Sequence, residues 1–295
     1  MIDIDEKKYP ELYYDAYKGY SYCESIPDKQ LDWYEVDYHT FWIGEFGRKQ
    51  ILPIKSFFAT QTPNLARLNL WSTENLADNP LLAPYKDRIV FRHWNPVEEA
   101  KGTVLEGLKI LTASDSQRWL DGDLLRLLVL HKYGGVYFDM DVVFLRDFAP
   151  LLNQEFMYKW SNQKEMINGA VMHLDKGSQL SLELLRELSK RNPIPNSTTW
   201  GCDTYMAVRR KNKNFTIFPS AFFDTEWQLS DEKEPPYQDL RQPFKNLEQS
   251  KLMFDRAFCW HWHSRWNEPI EEGSKWEKLE KLIKAKLQER FSVGV

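Results

Sequence analysis

The 295-residue sequence predicts an α/β fold, and two observations support this prediction. From about residue 39 to 175, short apolar runs typical of strands alternate with longer helical patterns, as expected for a sheet with crossover helices. The composition, 42% hydrophobic and 15% aromatic, is sufficient for one large buried core. We therefore expect a single α/β domain.

The predicted strands follow one another through the first two thirds of the chain. They are expected at residues 41–44, 68–71, 88–91, 134–145 and 168–172. A helix is predicted over 120–133, because five leucines between positions 124 and 130 are good helix formers that indicate a strongly buried helix. Asp121 or Asp123 is expected to cap its start, and Gly134-Gly135 to end it. A second helix is predicted at about 177–191.

Two aspartates, Asp139 and Asp141, lie one residue apart in an apolar strand pattern. In an extended segment, residues i and i+2 point the same way with Cα atoms roughly 7 Å apart. Two like charges at the end of a buried strand are tolerable if a divalent cation lies between them, and hard oxygen ligands suit Mg²⁺ or Mn²⁺. The pair therefore predicts a metal site that holds phosphate. The alternative is that these aspartates only end a strand and start a turn.

A second polar pair precedes these aspartates by one helix. Asp123 and Arg126 are spaced i, i+3, so they share a helix face and can form an ion pair. Such a pair is often an ordinary surface salt bridge. Its position just before the acidic strand end favours a functional role instead.

The ordered string from Gly122 to Asp141 resembles the core of glycosyltransferase family 32, (Ser)-Asp-x-x-Arg followed by Tyr-Gly-Gly-x-Tyr-x-Asp-x-Asp, with Gly122 in place of the serine. The resemblance implies a GT-A-like (Rossmann-like) nucleotide-sugar transferase fold. It also implies a metal-dependent, retaining glycosyltransferase of polysaccharide biosynthesis. Such an enzyme moves a sugar from a nucleotide-diphosphate sugar, with a UDP-sugar favoured, to a glycan or glycolipid acceptor. Mn²⁺ or Mg²⁺ is the implied cofactor.

The same resemblance implies roles for the four central residues. Asp141 is expected to bind the metal directly, and Asp139 to bridge the ribose and the metal. Asp123 is expected to accept hydrogen bonds from sugar hydroxyls. Arg126 is expected to orient Asp123 and the donor sugar.

Four further residues fit the resemblance. Trp42 aligns with a first-strand tryptophan that stacks on the nucleotide base, and its alternative is a core aromatic. Asn168 lies in a strand near the acceptor. His261 and His263, at i and i+2, could face one way on an extended segment and complete the metal site. The alternative is a pair of histidines packed in a tryptophan-rich cluster, and His261 is preferred because it aligns with the family's histidine.

Two other functions remain open from the residues alone. The apolar run ending in Asp-x-Asp also fits haloacid-dehalogenase-like phosphatases, in which Asp139 would be the nucleophile. A sugar-binding module without catalysis would leave the convergent carboxylates unexplained. The phosphatase is the second hypothesis.

Composition limits the partners and the compartment. A net charge of −4 predicts no nucleic-acid surface, and three scattered cysteines predict a reducing compartment. No run approaches the roughly 20 apolar residues that span a bilayer, and the acidic residues 1–7 do not resemble a signal peptide, which favours a cytoplasmic enzyme.

The C-terminal segment predicts an amphipathic helix at 275–291 with six positive charges. We expect residues 1–270 to form the glycosyltransferase domain and 271–295 to pack on it. The alternative is an interfacial helix that contacts a membrane peripherally.

Overall fold

The computed structural model describes residues 10–32, 34–160, 166–224, 242–247 and 256–292. The helices in these ranges are α1 (Pro10–Ser25), α2 (Arg48–Thr60), α3 (Pro96–Glu99), α4 (Trp119–Tyr133), α5 (Gln179–Leu188), α6 (Thr199–Lys211) and α7 (Lys275–Ser292). The strands are β1 (Val36–Phe41), β2 (Ala66–Ser72), β3 (Ile89–His93), β4 (Gly135–Phe138), β5 (Val142–Phe144), β6 (Phe156–Lys159), β7 (Ile167–Leu174), β8 (Thr216–Phe218) and β9 (Cys259–His261).

The main sheet has seven strands in the order β3-β2-β1-β4-β7-β6-β8. Every strand except β7 runs in the same direction, and β7 is antiparallel to both of its neighbours. The start of β7 therefore lies beside the carboxyl ends of β1 and β4, where open α/β sheets bind ligands. The predicted α/β class is confirmed, and the sheet is mixed.

Apolar side chains alternate along the strands and supply a core on each face of the sheet. Tyr38 and Phe138 belong to the core on the side of α2, whereas Trp71 and Tyr137 belong to the core on the side of α4. The leucines of α4 are almost fully buried in the second core. This burial fixes α4 against the central strands, as the predicted leucine-rich pattern requires.

The predicted extended run through Asp139 and Asp141 is wrong. The chain forms two strands, β4 and β5, separated by a tight turn in which the Val142 N–H donates to the Asp139 carbonyl at 3.0 Å. The aspartates therefore occupy a turn, and alternation along a strand does not explain their proximity.

The predicted cap of α4 is also wrong. The helix begins at Trp119, before Asp121 and Asp123. Asp115 performs this role, because its carboxylate accepts from the backbone N–H of Trp119 at 3.0 Å and of Leu120 at 3.3 Å. The end of the helix agrees with the prediction, since Gly134 is its C-cap.

The C-terminal helix α7 packs against α2. Trp276, Leu279, Ile283 and Leu287 are buried there, whereas Leu282 and Phe291 are exposed. Most of the predicted apolar stripe thus faces protein. Each helix in the described ranges is too short or too polar to span a bilayer.

Candidate active site

The polar residues of interest gather at the carboxyl ends of β1 and β4. Asp139 and Asp141 lie in the turn after β4, and Asp123 and Arg126 project from the first half of α4. The pairing of β5 with β9 places Val142 opposite His261, so His261 lies next to Asp141.

Arg126 is at the centre of a buried polar network. Its Nη2 donates to Asp139 Oδ1 at 3.1 Å and lies 3.5 Å from Asp123 Oδ1. The Tyr137 hydroxyl donates to the same Asp139 oxygen at 2.7 Å. The side chains of Arg126 and Asp123 are only 10% and 8% exposed, so the alternative of an ordinary surface salt bridge is wrong.

Asp123 is also held from α6. The backbone N–H of Gly201 donates to Asp123 Oδ2 at 2.9 Å. A Cβ at position 201 would overlap the Asp123 carboxylate, so the residue must be glycine for this approach. Burial raises the pKa of Asp123 to about 6, although the Arg126 guanidinium limits the rise.

Asp139, Asp141 and His261 form a group that could hold a metal ion. One ligand atom from each lies within 4.8 Å of the others. Asp141 Oδ2 accepts from the Ser264 N–H at 2.6 Å and lies 3.2 Å from His261 Nε2. Asp141 Oδ1 is buried and has no hydrogen-bond partner among the described residues. Two carboxylates, one of them with an unpaired buried oxygen, and an imidazole fit a divalent cation such as Mn²⁺.

His263 lies outside this group. It follows the end of β9 with φ +57°, so the extended geometry predicted for the two histidines is wrong. Its Nε2 lies 2.9 Å from Asp224 Oδ1, and its ring stacks on His261 at 3.8 Å. His263 therefore belongs to a second group, Asp224, His261 and His263, and the four predicted metal ligands do not converge on one point.

Negative charge on both sides of His261 favours a cation at this site. Burial alone would lower the pKa of His261, but Asp141 and Asp224 raise it to about 10. Burial also raises the pKa of Asp139, and Asp141 adds to the rise, whereas Arg126 opposes it. A divalent cation and the imidazole proton would thus compete for the same carboxylates.

Trp42 lies just beyond the end of β1, on the other side of the Asp-x-Asp turn. It is partly exposed and packs on Trp266, with ring centroids 4.5 Å apart. Lys49 holds the segment that carries Trp266, because its ammonium donates to the carbonyls of Arg265 at 2.8 Å and Trp266 at 2.9 Å. Trp42 therefore packs partly against the core, and its exposed part can contact a ligand.

Two cavities meet at the Asp-x-Asp turn. The Trp42 cavity, of about 280 Å³, is lined by Trp42, Gln117, Trp266 and Asn267 among others. The Tyr205 cavity, of about 290 Å³, is lined by Asp123, Trp160, Asn168 and Tyr205 among others. Their shared wall consists of Trp119, Arg126, Asp139, Asp141 and Ser264. A ligand with two chemically different halves could occupy both.

Asn168 is the second residue of β7 and lines the Tyr205 cavity, whereas Trp42 lines the other cavity. Its Oδ1 accepts from the Ala170 N–H at 2.8 Å, which leaves the amide nitrogen for other contacts. The structure thus separates two predicted nucleotide-sugar contacts, Trp42 and Asn168, into different cavities.

Sequence reasoning missed several residues of the site. Ser264 lies in the predicted histidine segment, but only the structure reveals its hydrogen bonds to Asp141. Asp224 follows two phenylalanines and has no recognisable motif. Tyr205 lies on α6, a helix that was not predicted from the sequence, and a buried aromatic residue carries no functional signal in a sequence.

A comparison of the sequence with known protein families gives a match that includes the central residues of this site. Residues 96–158 match the family described as the glycosyltransferase sugar-binding region containing a DXD motif. This range includes Asp123, Arg126, Asp139 and Asp141. Residues 96–158 are therefore similar to a glycosyltransferase sugar-binding region, which confirms the predicted resemblance.

Individual proteins extend the comparison. An uncharacterised protein of Arabidopsis thaliana is 45% identical over 65 residues, which are 22% of this chain and 10% of that protein. The crystal structure of the glycosyltransferase GlyE of Streptococcus pneumoniae TIGR4 is similar with a TM-score of 0.50 and 12% identity, covering 88% of this chain and 64% of that one. Its apo form gives the same TM-score and identity and covers 89% and 64%. The chain thus spans less than two thirds of these proteins, and the similarity to GlyE confirms the predicted GT-A fold.

Proposed function

We propose that the protein is a metal-dependent, retaining glycosyltransferase that moves a sugar from a nucleotide-diphosphate sugar to a glycan or glycolipid acceptor. A UDP-sugar is the favoured donor and Mn²⁺ or Mg²⁺ the cofactor. The observation that carries this proposal is the group of Asp139, Asp141 and His261, in which both aspartates belong to the wall between two cavities and His261 lines the Tyr205 cavity. If the nucleotide occupied one cavity and the sugar the other, the diphosphate that joins them would lie with its negative charge at that wall.

We assign roles in binding the donor or the metal to residues at this wall and in the two cavities. Trp42 stacks on the base. Asp141 and His261 would hold the metal, and Asp139 would contact the metal and the ribose. Asp123 accepts hydrogen bonds from sugar hydroxyls while Arg126 fixes its position. Asn168 contacts the sugar from the start of β7, and His263 holds Asp224 beside His261.

The transfer itself follows from how the carboxylates are engaged. Asp123, Asp139 and Asp141 line the Tyr205 cavity, and each is held by a hydrogen bond or an ion pair. We therefore propose a front-face displacement without a protein nucleophile. The bond from the sugar C1 to the phosphate oxygen breaks, and the acceptor oxygen bonds to C1 on the same face. The acceptor proton passes to the leaving phosphate. The metal, when bound, neutralises the diphosphate charge.

The site and the reaction can be tested together. Wild-type protein with Mn²⁺ is screened for thermal stabilisation by UDP-, GDP-, CMP- and dTDP-sugars, since ligand at 100 times its dissociation constant adds about 2.7 kcal/mol. Asp141→Asn should abolish metal-dependent binding and lower turnover by at least about 100-fold, because even outer partners of metal ligands cost roughly 10- to 100-fold. Asp203→Asn, with its side chain 52% exposed on α6, is the control. Near-wild-type turnover of Asp141→Asn with EDTA present would disprove the metal assignment.

The phosphatase remains the second candidate, and the same screen decides between them. It requires Asp139 as the nucleophile, but Asp139 Oδ1 already accepts from Arg126 and Tyr137. Hydrolysis of small phosphate esters without stabilisation by any nucleotide sugar would favour it.

We further propose a cytoplasmic enzyme of polysaccharide biosynthesis that reaches its acceptor at a membrane surface. The three cysteines, Cys23, Cys202 and Cys259, are buried and free, as a reducing compartment allows. Lys278, Lys281 and Lys284 on the exposed side of α7 could contact anionic lipid peripherally.

A further inference from the structure

We infer that the hydroxyl group of Tyr205 binds a hydroxyl group of the transferred sugar and thereby contributes to donor selection. This inference rests on the proposed function and adds a recognition residue within the Tyr205 cavity. It is based on two observations: the Tyr205 hydroxyl oxygen is buried without a hydrogen-bond partner among the described residues, and its neighbours belong to the proposed sugar site.

The Tyr205 side chain is 1% exposed and packs in the core on the side of α4. Its Oη is buried and has no hydrogen-bond partner among the described residues. A buried hydroxyl without a partner is unfavourable, so such groups in folded proteins call for an explanation. Because the same side chain lines the cavity, a polar group of a bound ligand is the partner that the geometry offers.

The neighbours of this hydroxyl belong to the proposed sugar site. A Cβ placed on Gly169 would lie 2.6 Å from Tyr205 Oη and 2.8 Å from Arg126 Nη1, so both atoms approach one point beside β7. Only glycine leaves that point open. Burial also raises the pKa of Tyr205 well above its ordinary value, so the hydroxyl keeps its proton and can donate as well as accept. A sugar hydroxyl can also donate or accept, so the two groups can pair in either direction.

The variant Tyr205→Phe tests the inference, because it retains the ring and removes only the oxygen. Its affinity for the best donor among UDP-glucose, UDP-galactose and GDP-mannose should fall about 3- to 10-fold with Mn²⁺ present. Its affinity for the matching nucleoside diphosphate, which lacks the sugar, should stay unchanged. Its melting temperature should be equal to or above that of the wild type, since an unpaired buried hydroxyl is lost.

Tyr38→Phe is the matched control. The Tyr38 hydroxyl is equally buried but donates to Gln61 Oε1 at 3.0 Å, outside both cavities. This variant should lower stability and leave both affinities unchanged. Calorimetric titration of wild type and both variants gives the affinities, and thermal unfolding gives the stabilities.

The outcomes separate this inference from the proposed function. If wild type binds none of the nucleotide sugars of the thermal screen, the proposed function fails, and the inference with it. If wild type binds one of them and Tyr205→Phe binds it equally well, only the inference fails. Equal weakening for the sugar and for the nucleoside diphosphate would also overturn it, because the effect would then act through the metal site. One deoxy analogue of the donor should lack the hydroxyl that Tyr205 binds. Wild type should bind this analogue more weakly than the parent donor, whereas Tyr205→Phe should bind the analogue no more weakly than the parent donor.

Discussion

His39 shows how a single buried residue is fixed in one protonation state. In the middle of β1, its Nδ1 accepts from Trp71 Nε1–H at 3.2 Å, and its Nε2–H donates to the Gly134 carbonyl at 3.1 Å. Because indole only donates and a carbonyl only accepts, this pair of contacts requires the neutral imidazole. Burial correspondingly lowers the pKa of His39 to about 4, although Asp37 opposes the shift.

This state predicts acid sensitivity. Between pH 6.5 and about 4 the unfolded chain binds the His39 proton and the folded protein does not, so the free energy of unfolding should fall as the pH drops. The contribution of one such group is at most about 1.4 kcal/mol per pH unit. His39→Gln should be less stable at pH 7 but should lose part of this slope in urea unfolding. The exposed His93→Gln should keep it, and an unchanged slope in His39→Gln would contradict the assignment.

Residue identities could be predicted where charge and spacing coincide. Asp123, Arg126, Asp139 and Asp141 were recognisable because carboxylates and guanidinium are rare in apolar surroundings. Asp224 and Tyr205 were not, since the site residues near them lie far away in the sequence and only folding brings them together. His263 was misplaced because its left-handed backbone cannot be inferred from its neighbours.

At the scale of elements, α7 is bound to the rest of the fold by one side only. Trp276 is fully buried with Leu52 of α2 in its cluster, whereas Leu282 on the same helix is 38% exposed. An interfacial membrane helix would instead need its apolar side free for lipid. The described contacts assign that side to the protein core.

Matched truncations on α7 test this assignment. Trp276→Ala should lower the free energy of unfolding by about 3–5 kcal/mol, because it leaves a large cavity. Leu282→Ala should change it by less than about 0.5 kcal/mol. Guanidinium unfolding measures both values. Equal, small effects combined with loss of binding to anionic vesicles would instead support a helix that docks on lipid.

Elements were predictable where the pattern was long, and less so where a turn intervened. The leucine-rich α4 was found almost at its true length because burial on most sides leaves a strong apolar signal. The break between β4 and β5 was missed, since apolar residues flank the Asp-x-Asp turn on both sides and resemble one continuous strand. The carboxylates still converge, because a tight turn also brings residues i and i+2 close together.

At the scale of the whole molecule, the residues of the site lie on elements that are buried to different degrees. Asp123 and Arg126 sit on α4, which is buried between the central strands and the helices α5 and α6. His261 ends β9, which pairs with β5 outside the main sheet, and Ser264 lies in the segment that follows β9. Sugar-side groups should therefore persist until global unfolding.

Hydrogen exchange can test this order of stability across the molecule. Amides between Leu124 and Leu130 should exchange only through global unfolding, with an opening free energy equal to that from urea unfolding, because their surroundings are fully buried. Amides of the edge strand β8, which is partly exposed, should open earlier. Native-state exchange followed by mass spectrometry resolves both segments. Exchange in α4 that precedes exchange in β8 would show that the sugar-side groups rest on a mobile helix, and pre-organisation of Asp123 and Arg126 could then not explain donor binding.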